Sequence, residues 1–268
     1  MNSETHDDNA REAATQKLFE SFTTMRSRRG VLKGAVAGVG GLALGASVIP
    51  AYASTLSKTR PMGGDFPNDV VAILTVARTA EQLAVTFYSN GIANASALGI
   101  QGDNLAYLKA ALIEEQIHQQ FFTAHGGQSL ADTFSFPQGA KTFEDLGTFI
   151  ATQQQLEGVF DSAFLSAIRE FADMGHSDLA QIAGQIACIE SEHRALGRAI
   201  GGLVPADNWA YAPVLIAQVA DAPALVQQAG YLSPVTGNTY HYVEVSTDGG
   251  GVEQRVPFAA SSTTTGRG

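Results

Sequence analysis

The 268-residue sequence has little of three things, and each shortage narrows what the protein can be. A single cysteine, Cys188, rules out any disulfide within one chain, and with it a disulfide-stapled fold. Cys188 lies in an apolar helical pattern and is expected as a small buried side chain. Basic residues are scarce, 16 Lys and Arg against 26 Asp and Glu, for a net charge of −10. Phosphate backbones and anionic lipid require clustered cations, so neither nucleic acid nor a membrane surface is an expected partner. The apolar run near the N-terminus is short as well. The stretch AVAGVGGLALGASVIP (residues 35–50) is about 15 residues broken by glycines, short of the ~20 that cross a bilayer. With 45% hydrophobic residues the chain can still bury a sizeable core.

That apolar stretch follows SRRGVLKG (residues 27–34) and precedes AYA (residues 51–53), a small-residue cleavage site, so residues 1–53 read as a signal peptide. The order Ser-Arg-Arg-Gly-Val-Leu-Lys closely resembles the twin-arginine export signal, whose receptor-read address delivers folded proteins to the twin-arginine translocase. It implies a periplasmic or extracellular location, with no membrane attachment after cleavage. Removing its six basic and five acidic residues leaves 10 basic and 21 acidic, a net charge of −11. Residues 54–65 read as a linker.

Apolar positions at spacings of three, four and seven predict four helices, over residues 68–94, 104–124, 142–173 and 178–200. Thr142 and Asp145 read as a capping box opening the third. The first and last links are short and make antiparallel hairpins, while GQSLADTFSFPQGAK (residues 127–141) is a long crossover. The expected fold is all-α, a four-helix bundle of two hairpins over residues 66–203. Residues 204–268 form an extension of short helices with a small β-hairpin (TYHYVEVS turning at DGGGVEQRVPF) and a disordered end.

Four glutamates interrupt the apolar stripes. Glu81 and Glu157 sit inward on the first and third helices. Glu115 with His118, and Glu190 with His193, sit inward on the second and fourth, each pair three residues apart and so on one face. Thirteen glutamates would place a Glu three residues before one of six histidines about 0.3 times by chance, against two occurrences here, so the pattern is not accidental. Glu115 follows Glu81 by 34 residues and Glu190 follows Glu157 by 33, which puts the two half-sites at one height, as a pseudo-twofold axis requires. Four ionised carboxylates in an apolar core would take up protons unless cations neutralised them, and two divalent ions cancel the four charges. Oxygen ligands with one imidazole per ion suit iron or manganese, and also zinc, which lacks redox chemistry.

The succession Glu, Glu-x-x-His, Glu, Glu-x-x-His resembles the ferritin-like superfamily of di-iron and di-manganese carboxylate bundles. The resemblance implies that Glu81, Glu115, His118, Glu157, Glu190 and His193 are metal ligands, with Glu115 and Glu190 bridging two iron or two manganese ions. It implies dioxygen, peroxide or ferrous iron as reactants, with ferroxidase, catalase-like and oxidase chemistry all open. The exported form with a C-terminal extension is similar to the desiccation-related branch, and a homodimer is compatible with it. The alternative is a non-catalytic envelope protein for stress or desiccation, in which any metal is structural. A storage cage is a third reading, but residues 204–268 give no sign of a shell.

Around the six, Glu114 and Glu192 lie about 100° round their helices and read as solvated or as partners of a ligand. Gln153 and Asp161, one turn either side of Glu157, could hydrogen-bond ligands. Tyr88 and Tyr107 read as core packing, with contact to a ligand the other reading. His125, His176 and His241 read as surface or capping residues.

Overall fold

A computed structural model describes residues 66–253. The signal peptide, the linker and the end of the chain lie outside the described residues, as does part of the predicted return strand. Four long helices make the bundle: α1 (Phe66–Ala93), α3 (Asp103–Ala124), α4 (Leu146–Asp173) and α5 (Ser177–Ile200). A single turn of helix, α2 (Ala95–Leu98), lies between α1 and α3. As the pattern predicts, α1 packs mainly on α3 and α4 mainly on α5, and α1 and α4 meet across the middle.

Residues 69–93 are apolar enough, by length and composition, to cross a membrane. They face the bundle instead: 78% of their most apolar window is buried inside it. At one end Phe87 of α1 stacks on Phe149 of α4 with ring centroids 4.6 Å apart. Gly91 permits that approach, since a Cβ there would meet the Phe149 ring at 2.5 Å.

Three details differ from the sequence expectation. Thr142 falls in a 3-10 turn (Gly139–Phe143) and is buried, so no capping box forms; α4 starts later, with the Oδ1 of Asp145 accepting from the Thr148 backbone N–H at 2.8 Å. Cys188 is exposed, because it precedes the inward Glu190 by two residues and so lies about 200° round the helix. The strand of the extension, β2 (Tyr240–His241), pairs antiparallel with β1 (Thr133–Phe134) of the crossover, Thr133 opposite His241 and Phe134 opposite Tyr240. This pairing joins the extension to the crossover; the expected return strand downstream lies in part outside the described residues.

The crossover lies along α1, where its backbone donates to Thr75 and Thr79 Oγ1 at 3.0 and 2.9 Å. A short helix, α6 (Ala222–Gln228), continues the extension. The Tyr231 hydroxyl that follows donates to buried Gln155 of α4.

An N-cap acceptor is worth about 1 kcal/mol, whereas a buried hydroxyl without a partner contributes nothing favourable. Thr142 Oγ1 has no hydrogen-bond partner. Urea denaturation is therefore expected to show Asp145→Ala losing about 1 kcal/mol, with Thr142→Val neutral or stabilising; equal losses from both would restore the capping box.

Candidate metal centre

The four long helices deliver all six predicted side chains to one buried cluster. Glu81, Glu115, Glu157, Glu190 and His193 are buried and His118 is nearly so. They form two overlapping groups: Glu81, Glu115, His118 and Glu190, and then Glu115, Glu157, Glu190 and His193. Within each, one ligand atom per residue lies within 4.8 Å of all the others. Glu115 and Glu190 belong to both.

The histidines each turn Nδ1 to the cluster. His118 Nδ1 is 3.8 Å from Glu81, 3.7 Å from Glu115 and 3.6 Å from Glu190. His193 Nδ1 is 3.1 Å from Glu115, 3.9 Å from Glu157 and 3.7 Å from Glu190. Two atoms each about 2.1 Å from a shared ion stand roughly 3.0 Å apart at a right angle and about 4.2 Å apart in line. The observed separations fall between those limits.

Hydrogen bonding tells the same story. Both carboxylate oxygens of Glu81, Glu115 and Glu190, one of Glu157, and the Nδ1 atoms of both histidines are buried without a hydrogen-bond partner. Buried polar atoms are nearly always paired, and unpaired ones concentrated in one place mark a missing cation or protons. The donor set therefore fits divalent ions.

Protons take the place of cations in the metal-free site. Burial, reinforced by Glu115, holds the Glu81 carboxyl well above its ordinary pKa, and burial with the charge of Glu190 does the same to Glu157. Burial also pushes Glu115 upward, but Glu81, His118 and His193 around it outweigh that and leave it below the ordinary range. Burial opposes the charge on the histidines. Glu115 and Glu190 nevertheless raise His118 to about 9, and Glu114, Glu115 and Glu190 hold His193 well above its usual value.

The matches found among known proteins agree with this geometry. The family pattern described as Ferritin-like domain covers residues 69–202, half of the chain and all six side chains. The chain belongs to the ferritin-like domain family. No curated protein and no solved structure matches it.

Around the six, the ferritin-like domain carries polar contacts that the sequence left open. Glu114 is turned to the core, its Oε2 accepting from His193 Nε2 at 2.7 Å. Tyr88, beyond packing in the core, donates its hydroxyl to Glu157 Oε1. Gln153 donates to the Tyr88 hydroxyl at 3.1 Å and to the His193 carbonyl at 2.7 Å. It lies over Gly197, where a Cβ would meet its Oε1 at 2.1 Å. Asp161 accepts from Ser191 at 2.9 Å and is held at about 7, mainly by burial. Glu192 is exposed, and His125, His176 and His241 lie at helix ends or in β2, as read from the sequence; Tyr107, read as core packing, is exposed instead, on the outer side of α3.

Beside α1 and α4 an apolar cavity of about 40 Å³ is lined in part by Ala77, Phe160 and Phe164. Ala77 lies one turn from Glu81 and Phe160 one turn from Glu157. The space is large enough for one or two small molecules, and its apolar lining disfavours water.

The metal-free protein should lose stability as pH rises. A group with a raised folded-state pKa contributes stability that is full below its unfolded value and lost through the folded one. For His118 that window runs from 6.5 to about 9. Glu81, Glu157 and His193 act in the same direction and only Glu115 opposes them. Circular dichroism of chelator-treated protein is expected to give a lower melting temperature at pH ~9 than at pH ~6.5; an unchanged or higher value would contradict the clustering.

Proposed function

We propose that the chain is an exported ferritin-like oxidoreductase in which Glu81, Glu115, His118, Glu157, Glu190 and His193 hold two iron or two manganese ions that react with dioxygen or peroxide. The observation that carries this reading is the pair of overlapping groups sharing Glu115 and Glu190, built mostly from atoms without a hydrogen-bond partner. When bound, adjacent redox-active ions supply the electron transfer to oxygen that no side chain in the cluster provides.

The chain's own residues do the rest. Glu115 and Glu190, reaching both groups, would be shared between the two ions, and Glu81 and Glu157 would each serve one. Glu114 holds the proton on His193 Nε2 and so leaves Nδ1 free to face the ion. Tyr88 and Gln153 fix Glu157 and keep a proton donor beside it. The surrounding core excludes bulk water, and the apolar cavity suits a reactant of dioxygen's size and polarity. Ferroxidase, catalase-like and oxidase reactions share this ligand set.

Export through the twin-arginine translocase to the periplasm or beyond is part of the proposal, supported by the Arg28-Arg29 pair and the residues following it. That route carries folded proteins, so the cytoplasm would choose the metal. The kinship with desiccation-related proteins rests on the same signal together with the extension.

Elemental analysis of protein purified from the source or a close host is expected to show about two irons or manganeses per chain, absent from a Glu115→Ala/Glu190→Ala variant. Ferrous oxidation or peroxide breakdown that disappears in Glu157→Ala with helicity intact would establish the enzyme. Metal without turnover would leave a structural centre in an envelope protein. Ion loading near neutral pH is further expected to release protons, His118 among their sources because its folded-state value is raised to about 9; buffer-dependent calorimetry showing no release would place the ions elsewhere.

A further inference from the structure

The pseudo-twofold register allows each residue around one half-site to be compared with its counterpart around the other. The residue before the glutamate of each Glu-x-x-His pair is Glu114 on α3 and Ile189 on α5. Seven residues after the terminal glutamate stand Tyr88 on α1 and Phe164 on α4; four residues before it stand Ala77 and Gln153. In each comparison the polar member serves the same half-site. Glu114 contacts His193, Tyr88 contacts Glu157, and Gln153 contacts Tyr88 and the His193 carbonyl. The counterparts Ile189, Phe164 and Ala77 have no hydrogen-bonding side chain to offer Glu81 or His118. Exposure follows the division: the His118 side chain is 12% accessible and that of His193 is 1%.

We propose that the two ion positions are inequivalent, the one at Glu157 and His193 taking a divalent first-row ion first and more tightly, and that Glu114 is the positioning residue chiefly responsible. This rests on the metal-centre reading above. Ligands already fixed by neighbours lose less freedom when they bind, and a carboxylate on the far nitrogen of an imidazole both orients the ring and increases its basicity. The Glu81–His118 position lacks these supports. It is the weaker one, and the ion there exchanges more readily with solvent. Glu114 itself lies at the edge of the core, with its side chain 29% accessible, so its removal need not disturb the bundle.

The experiment is a titration of the chelator-stripped full chain with Co²⁺, followed by calorimetry and by the visible absorption of the bound ion. Two steps separated by at least about 10-fold in affinity are expected. Glu114→Ala should weaken the tighter step by about 10–100-fold, with the other changing little, and Glu114→Gln, which keeps an acceptor oxygen, should recover part of the loss. Ile189→Glu, which supplies the missing carboxylate at the mirror position, should tighten the weaker step. Two indistinguishable steps, or equal weakening of both by Glu114→Ala, would overturn the inequivalence while leaving a dinuclear site in place. No Co²⁺ bound by the wild-type chain would overturn the metal-centre reading and this inference with it. Circular dichroism of each variant identifies any loss caused by misfolding.

Discussion

Four glutamates at the centre of a helical bundle set the terms for everything around them. A carboxylate removed from water without compensation is too costly to stay charged, so the cluster must be neutralised by protons or by cations. The metal-free site takes the first course, with protons favoured on Glu81, Glu157, His118 and His193. The proposed metal loading would take the second. The scaffold has to hold its shape in both conditions, which explains why the six side chains come from four long helices packed along their length. A loop would let the carboxylates drift apart and hydrate.

The central constellation was legible in the sequence because it obeys short-range rules. Glu115 with His118 and Glu190 with His193 are fixed by helical spacing alone, and the near-equal separations from Glu81 and Glu157 follow from two hairpins of matched length. The family match over residues 69–202 agrees with that reading. What could not be read depends on contacts between distant segments. Glu114 meets His193 from 79 residues away, so its side chain could equally have been solvated. The strand residues Tyr240 and His241 pair with a partner more than a hundred positions upstream. Cys188 was misplaced for a more local reason: its neighbours Ala187 and Ile189 are apolar, but its angle on the helix points it away from Glu190.

Gln153, Gln154 and Gln155 show the same limit on α4. Of these three consecutive amides only Gln153 is singled out by the sequence, yet all three are buried. Gln153 and Gln154 donate to the carbonyls of His193 and Arg194 on α5, at 2.7 and 2.8 Å, while Gln155 accepts from Tyr231 of the extension. These bonds brace the helix carrying Glu157 against the helix carrying Glu190 and His193. The geometry of the cluster is held from outside as well as by its own ligands.

That bracing extends past the region the family pattern covers. The backbone N–H groups of Leu215 and Ile216 donate to Ser162 on α4 at 2.6 and 3.1 Å, and Ser166 donates to the Ile216 carbonyl at 2.8 Å. On α3, Gln116 lies beside the clustered Glu115, accepts from the Val245 backbone at 3.0 Å and donates to the Tyr242 hydroxyl at 3.1 Å. The extension after residue 202 thus covers the outer faces of α3 and α4 at the level of the cluster. A bundle ending at 202 would present Gln116, Gln155, Ser162 and Ser166 to water, and with them the backs of the helices that carry Glu115 and Glu157. Low dielectric around the carboxylates, on which their affinity for protons and cations depends, requires that cover. The extension is therefore part of the cluster's environment, although none of its described residues belongs to the cluster.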